Sequence, residues 1–491
     1  MLSFLSGNKK SKRGRSLYET AEKIYPKAIK GRFNTLRALA VWSLLAIYYF
    51  IPWFTWDDRQ AVLFDIQNRQ FHILGLTFWP QDLIFFALIL IALVLALFLF
   101  TAVGGRLWCG YACPQTVWTE IFIWIERRIE GSRNEQMKLA KAPWSLHKLR
   151  VKSAKHSVWI VFALFTGFTF VGYFSPIQEL TTSVVENTLG NWELFWILFY
   201  SAATYINAGK LREQICIYMC PYARFQSVMF DKDTLIVTYD EARGEPRGKR
   251  KVSEAPSVLY KDAAIPITQV DDEQTQDKTQ LGDCIDCKQC VHVCPTGIDI
   301  RDGLQYACIA CSACIDACDE VMDKIGYPRG LVKYATEHEM TGNKTHVLRP
   351  RVLIYTTILI LLLVGISIGV ASRVPVDLDV IRDRKQLYSE VADNQIENLY
   401  ILKVMNLDRV THQYKITVEG INGARIELDE KAITIDSGKM AQLPVRVISD
   451  KNELKSPNQD ISFVLTSTDD NSISKTVVSR FMAPVEMFFN R

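Results

Sequence analysis

No cysteine follows Cys318, and beyond the last long apolar run there is one histidine, His412. The final quarter of the chain therefore offers no set of soft donors for a redox metal. Net charge is scarce as well. A balance of +4 over 491 residues indicates neither a nucleic-acid binder nor an acidic partner. A cleavable leader is not evident, because the first long apolar run begins near Leu36 behind a strongly basic stretch and lacks a small-residue cleavage site, so the first apolar segment is expected to be retained. Charged side chains are also missing from the interiors of five apolar stretches, 36–54, 82–103, 157–174, 192–208 and 352–371.

Each of those stretches has roughly the 20 residues a helix needs to cross a bilayer, and a charge at mid-membrane would cost about 2.5–3.5 kcal/mol on insertion scales. Trp53, Trp79, Trp108, Trp159 and Trp192 stand near their ends, as interfacial anchors do. Lysine and arginine cluster by loop. Residues 1–35 carry Lys9, Lys10, Lys12, Arg13, Arg15, Lys23, Lys27, Lys30 and Arg32, and 104–156 is equally basic, whereas 57–80 and 175–191 are nearly bare. By the positive-inside rule the N-terminus, the 104–156 loop and 209–350 are cytoplasmic, and everything after the fifth span is periplasmic.

Eight of the twelve cysteines fall in two tandem C-x2-C-x2-C-x3-C runs, Cys284, Cys287, Cys290 and Cys294, then Cys308, Cys311, Cys314 and Cys318. That is the ligand type, number and spacing of two [4Fe-4S] clusters, with the fourth cysteine of each run serving the other cluster. Cys284, Cys287, Cys290 and Cys318 are assigned to one cluster, and Cys308, Cys311, Cys314 and Cys294 to the second. Structural zinc prefers separated cysteine pairs, and disulfides need an oxidising compartment. A third alternative makes one run a relic, because Asp319 stands where a proline follows the first run. His292 is read as a surface or supporting residue, not a ligand.

The other four cysteines form an internal repeat. Gly105-Arg106-Leu107 leads into Cys109-Gly110-Tyr111-Ala112-Cys113-Pro114, and Gly209-Lys210-Leu211 leads into Cys216-Ile217-Tyr218-Met219-Cys220-Pro221. Both C-x-Y-x-C-P motifs follow an apolar helix at its cytoplasmic end, which suggests a pseudo-twofold pairing of four thiols. Residues four apart share a helix face, and clustered thiolates favour Cu(I), zinc or iron–sulfur over hard cations. Met219 could add a thioether. The competing reading makes these cysteines small buried hydrophobes.

Between the motifs, 114–131 has an apolar stripe at Val117, Ile121, Ile125 and Ile129, suited to the inner membrane interface or to packing on the cytoplasmic domain. The expected organisation is a basic arm (1–35), a four-helix membrane domain (36–230), a polar linker (231–282), a two-cluster ferredoxin-like domain (283–350), a fifth span (351–372) and a C-terminal domain (373–491). In the last, seven alternating segments, 399–406, 412–420, 424–429, 431–436, 443–449, 461–467 and 475–481, predict an all-β immunoglobulin-like sandwich. The fold class is thus a multidomain membrane protein: a five-span helical bundle, a ferredoxin-like domain and a sandwich.

This combination resembles the CcoG proteins, also called FixG or RdxA, accessory proteins of cbb-type cytochrome c oxidase. The resemblance covers nearly the whole chain and implies a cupric reductase of the bacterial inner membrane that supplies Cu(I) for the oxidase copper centre. It carries the cluster role onto the eight cysteines named above and a catalytic, copper-binding role onto Cys109, Cys113, Cys216 and Cys220. Expected partners are copper ions as substrate, a cytoplasmic electron donor, oxidase assembly factors or copper chaperones, membrane lipid and a second copy of the chain in a homodimer. The C-x3-C-P motifs also look like those of NapH-type quinol dehydrogenases, which supplies one alternative. A non-catalytic assembly scaffold is the other.

Overall fold

The computed structural model describes residues 23–56, 59–248, 281–383, 386–391, 394–408, 410–428, 433–470 and 472–489. The first 22 residues of the basic arm and 249–280 of the expected linker lie outside them. Two compact units result: Met1–Ile51 with Val94–Gly172 and Ile177–Thr357, and Pro52–Leu93 with Tyr173–Pro176 and Ile358–Arg491. The helices that matter here are α1 (Arg32–Phe50), α2 (Leu83–Gly104), α3 (Leu107–Tyr111), α4 (Pro114–Glu130), α5 (Leu146–Val171), α6 (Asn191–Thr204), α7 (Pro221–Met229), α8 (Ala313–Ile325) and α9 (Pro350–Ala371).

Among the described residues, four helices are long and apolar enough to cross a membrane: α1 with its extension to Trp53, α2, α5 and α9. The expected stretch 192–208 differs. There α6 stops after 14 residues and runs on as a π-helix, Tyr205–Leu211. The widened turn brings Gly209 against Phe122 and Trp159, where an added Cβ would lie 3.3 Å from both rings. π-Helical turns of this kind are frequent at functional sites, and this one ends just before Cys216.

The stripe on α4 is covered by protein. Val117, Ile121, Phe122 and Ile125 pack with Val41 and Leu45 of α1 and Trp159 and Ala163 of α5. Burying that face removes it from the membrane interface considered for it above. One turn further on, α4 places Glu126 and Glu130 among cations. Arg212 Nη2 lies 2.7 Å from Glu126, and Lys155 Nζ lies 3.4 Å from Glu126 and 2.8 Å from Glu130. Lys152 Nζ is 2.8 Å from Glu130, and Lys23 also pairs with Glu126. Burial by itself would raise the Glu126 carboxyl, but Arg212, Lys23 and Lys155 overcome it and hold it at about 2. A carboxyl depressed on folding contributes stability that is complete above its ordinary range near 4.5 and is lost as pH falls from there toward 2. Unfolding midpoints of the detergent-solubilised protein should fall over that window, and Glu126→Gln should remove this acid-sensitive component.

The cysteine-rich part has its own small core. Strand β1 (Ile236–Tyr239) pairs antiparallel with β2 (Val332–Ala335), Ile236 opposite Ala335, and Val237 and Tyr239 pack with Ile300, Ile315 and Met322. The expected linker boundary therefore shifts, because 236–239 belong to the ferredoxin fold. Its alternating apolar pattern was hidden inside a polar stretch. The basic arm is likewise not a free tail from residue 23 onward. The Lys27 amide donates to the His292 carbonyl at 2.8 Å, and Asp316 of α8 accepts from the backbone amides of Phe33 (3.2 Å) and Asn34 (2.7 Å). Asp316 thus caps the N-terminus of α1 from another element, satisfying donors that a helix start leaves open.

Helix α8 also accounts for Asp319. The first run ends in a single helical turn, Gln289–His292, before Cys294-Pro295, whereas the second continues through Cys318 to Ile325. A proline at 319 would fall in the helix interior, lose a hydrogen bond and clash with the Ile315 carbonyl. Asp319 instead accepts from the Gly330 amide at 3.0 Å. Asp319→Pro, although it makes the two runs alike, should lower iron and sulfide content per chain by at least half, as measured by metal and sulfide analysis.

In the second unit, three strands, Val62–Asp65, Gln70–Ile73 and Leu76–Phe78, form an antiparallel meander. Arg373, just beyond α9, holds it through the Thr77 carbonyl (3.1 Å) and Asp82. The C-terminal part is a sandwich. One sheet holds β3 (Val376–Arg382), β4 (Ser389–Val391), β5 (Gln395–Asn406), β7 (Arg425–Glu427) and β9 (Met440–Asp450). The other holds β6 (His412–Glu419), β8 (Ile433–Ile435), β10 (Asn458–Ser467) and β11 (Ser474–Met482). Inward residues of the two sheets, among them Tyr400, Tyr414, Phe463 and Phe481, are fully buried, as strand alternation requires. Each of the seven segments predicted from the sequence contains a strand among the described residues, 429 and 431–432 lying outside them. Strands β3 and β4 are additional, and β3, with Val376, Leu378 and Val380 alternating with Asp377 and Asp379, follows the same period-two rule.

Candidate functional site

The two cysteine runs fold alike. In each, the residues flanking the second cysteine are left-handed: Asp286 (φ 50°) and Lys288 (φ 56°) around Cys287, Ala310 (φ 52°) and Ser312 (φ 60°) around Cys311. None is glycine, so each position costs about 1–2 kcal/mol, a strain the local structure must support. Successive residues of alternating hand turn backbone N–H groups inward, forming the concavity that accommodates anionic groups such as iron–sulfur clusters. Buried Arg301 fastens the first loop, pairing with Asp286 and Asp299 at 2.6 Å each.

Electrostatics groups the thiols across the runs. The Cys318 thiol is pushed up to about 12 by burial and then by Cys290, Cys287 and Cys284. The Cys314 thiol is raised by burial and then by Cys311, Cys308, Cys294 and Cys290. The strongest cysteine neighbours of each belong to the set expected from ferredoxin spacing, while Cys290 of the other set also acts on Cys314. A cavity lies among Cys290, Cys294, Cys308, Cys311 and Cys314. Two four-thiol sets, inward backbone amides and a space between them fit [4Fe-4S] groups. In the first set Cys287 is exposed while Cys284 and Cys290 are buried; in the second Cys311 is buried and the other three are half-buried.

The C-x-Y-x-C-P motifs also share a local geometry, though not one continuous helix face. Cys109 sits in α3 and Cys216 in a π-helical turn, Ile215–Met219. Cys113 and Cys220 are each the N-cap of a new helix whose first residue is the proline, Pro114 of α4 and Pro221 of α7. Proline is suited to that position because its missing N–H would have no helical partner. The second cysteine of each motif thus stands at a helix N-terminus, where the dipole favours a thiolate. Amides of Thr116 and Gln115 bond the Cys113 sulfur and pull its thiol down against the larger upward push of burial.

The motifs interlock. Cys109 Sγ lies 3.3 Å from Gln226 Oε1 on α7, the helix begun by the other motif. Gln115 on α4 donates to the Asn207 and Arg212 carbonyls at 3.0 and 3.2 Å. The Cys216 thiol is pushed up to about 12 by burial and then by Cys113, Cys109 and Cys220, which places the two motifs near each other, although no three of the four sulfurs lie within 4.8 Å of one another. Half-buried sulfurs gathered in this way suit a soft cation.

Three residues join this site to the second cysteine run. Buried Arg106 donates to the Tyr306 and Cys308 carbonyls, the latter at 2.9 Å, and to the Ala223 carbonyl at 2.7 Å. It therefore ties the loop of Cys308 to α7. Gly110 presses on the same loop, since a Cβ there would lie 2.8 Å from both the Ile309 and Ala310 carbonyls. Tyr111 adds a hydroxyl contact to Ser312 Oγ at 3.3 Å. Reading the sequence alone missed these roles. The signal was an asymmetry in the repeat: the residue after the first cysteine is Gly110 in one motif and Ile217 in the other, and glycine is needed only where two backbones meet.

Comparison with known families agrees with this organisation. Residues 211–337 match the 4Fe-4S dicluster domain family, 86–132 a 4Fe-4S binding domain family, and 366–484 the family described as the IG-like fold at the C-terminal of FixG. Fold and site together define an iron–sulfur electron-transfer protein of oxidoreductase type, carried by apolar helices that fit a membrane. The chain is 36% identical to the nitrogen fixation protein FixG of Rhizobium meliloti (strain 1021), over 91% of this chain and 90% of that one. It is 39% identical to protein RdxA of Cereibacter sphaeroides, over 85% and 86%. The chain belongs to the FixG/RdxA family. The ferredoxin-type protein NapH of Escherichia coli (strain K12) is 23% identical, over 54% of this chain and 86% of that one.

Proposed function

We propose that this protein is a membrane-bound cupric reductase, taking single electrons from a cytoplasmic donor to convert Cu(II) to Cu(I) for assembly of the copper centre of a cbb-type oxidase. The observation that carries this reading is the approach of the two C-x-Y-x-C-P motifs to each other, through Gln226 and Gln115, and to the Cys308–Cys311 loop, through Gly110 and Arg106. Cys284, Cys287, Cys290 and Cys318, with Cys294, Cys308, Cys311 and Cys314, would hold two [4Fe-4S] clusters. When bound, these supply one-electron storage and transfer.

The chain's own residues do the rest. Exposed Cys287 marks the face a donor approaches. Arg106 holds the inner loop over the thiols, and Gly110 lets the backbones touch. The four sulfurs favour the softer Cu(I) product. In this reading the chain crosses the membrane five times, α6 with its π-helical extension being the fourth span. The cysteine-rich domain is then cytoplasmic and the sandwich periplasmic, where it meets assembly factors or copper chaperones.

One observation favours a second reading: the 4Fe-4S binding family matched at 86–132 includes Cys109 and Cys113, and NapH shares part of the chain. The four inner thiols would then serve a quinol-oxidising electron-transfer subunit. The test is to reduce the anaerobically purified protein, remove reductant, and add either Cu(II) or quinone while following cluster absorbance and Cu(I) captured by a chromogenic chelator. Reoxidation in step with Cu(I) formation is expected. Reoxidation by quinone with none by Cu(II) would replace the copper reading with the second.

A further inference from the structure

A second donor set lies apart from every cysteine. Asp233, His338 and His346 come from two segments more than 100 residues apart in sequence, yet each offers a ligand atom within 4.8 Å of the others. Asp233 follows α7. His338 is in the helical turn Glu337–Met340 after β2, and His346 is in the loop leading into α9.

The backbone builds this cluster. Asp233 Oδ1 accepts the His346 amide at 2.9 Å and lies 2.8 Å from His338 Nδ1. The His338 amide donates to the Lys232 carbonyl at 3.1 Å. Both histidines are therefore pinned by their main chains to the Lys232-Asp233 dipeptide. Thr336 caps the turn by accepting the Glu339 amide at 3.1 Å, and its hydroxyl meets that of Thr345 at 2.7 Å, one residue before His346. Asp233 is itself anchored through its neighbour Thr234, which donates to the Ala102 carbonyl at the end of α2 (3.0 Å). The nearby cation Arg349 is engaged elsewhere, with Asp231 Oδ2 at 2.9 Å.

From this juxtaposition we infer a metal site: Asp233, His338 and His346 bind a borderline divalent transition ion of the zinc class. Two imidazoles and one carboxylate are a recurrent three-protein-ligand set for zinc, with a further position left for water. They suit Zn(II), Ni(II) or Cu(II) better than Cu(I), which prefers sulfur, or Mg(II) and Ca(II), which prefer oxygen alone. Donors up to 4.8 Å apart need only a modest inward movement to reach bonds of about 2.0–2.2 Å, and the exposed His346 ring is free to make it. A bound ion would fasten the loop entering α9 to the segment seated on the end of α2. No copper chemistry is required, so the site stands or falls separately from the function proposed above.

The experiment uses full-length, cluster-loaded protein in detergent, with Cys109, Cys113, Cys216 and Cys220 replaced by serine so that those thiols cannot take the probe, Zn(II) alone. Equilibrium dialysis should give one bound Zn(II) per chain. His338→Gln and His346→Gln should each weaken it at least tenfold, while His147→Gln leaves it unchanged. Zinc-edge X-ray absorption should show imidazole scattering. Unchanged iron content verifies folding, and if His338→Gln loses iron, the exposed His346→Gln decides the matter. Failure to bind Zn(II), sulfur-only ligation, or equal affinity in all the variants would each reduce the cluster to a surface His–Asp pair and overturn the proposal.

Discussion

With Cys109, Cys113, Cys216 and Cys220 all replaced by serine, reduction of Cu(II) is expected to fall at least 100-fold, equivalent to about 2.7 kcal/mol at the transition state, while iron and sulfide content stay at the wild-type level. Serine keeps nearly the size of cysteine, so the buried site should not collapse. What disappears is the soft donor, and with it the preference for Cu(I) over Cu(II). The two half-variants, Cys109→Ser with Cys113→Ser and Cys216→Ser with Cys220→Ser, should be nearly as slow as the full one, because the four sulfurs act on one another as a single group. Independent pairs would instead each retain about half the activity. Chelator-trapped Cu(I) after anaerobic reduction provides the rate, and undiminished Cu(I) formation by the four-serine protein would remove these thiols from the mechanism.

Gly110→Val is predicted to slow the same reaction several-fold without removing any sulfur. Its Cβ would meet two backbone carbonyls at 2.8 Å, closer than real Cβ contacts come, and neither is the end of a flexible side chain that could swing aside. Relief requires the α3 turn and the Ile309–Ala310 loop to separate, which lengthens the path for an electron between the loop of Cys308 and the inner thiols. Gly365→Ala, where an added Cβ meets nothing within 4 Å, is the control for a generic loss of glycine. The diagnostic pattern for Gly110→Val is normal iron content, normal copper binding and slow reoxidation by Cu(II). A variant that reoxidises at the wild-type rate would show that the contact is structural only.

Much of this molecule was readable from one-dimensional patterns. Ferredoxin spacing marked the eight cysteines as two four-thiol sets, because three closely spaced cysteines wrap one object and the fourth must reach across. Period-two alternation located seven sandwich strands, since a strand with one buried face must alternate. Uncharged runs located four of the long apolar helices. Elsewhere the pattern left detail open. Residues 192–208 have the composition of a span, and there the chain widens into π-turns that seat Gly209 on two aromatic rings. The α4 stripe suited a membrane surface and was instead claimed by α1 and α5.

By itself, then, the sequence determined the two ferredoxin-type cysteine runs, the apolar helices, the sandwich and the duplication of C-x-Y-x-C-P, because each is a local repeat of residue type at the period of a helix, a strand or a metal loop. Only the tertiary structure decided that Cys287 is exposed beside its buried neighbours, that Arg106 and Gly110 join the second cysteine run to the C-x-Y-x-C-P motifs, that α8 must run on through Asp319, and that Asp316 caps α1. Those are meetings of residues as many as 280 positions apart, from Phe33 and Asn34 to Asp316. Backbone approach and the satisfaction of buried polar groups settle such meetings in three dimensions, and neither leaves a periodic mark along the chain.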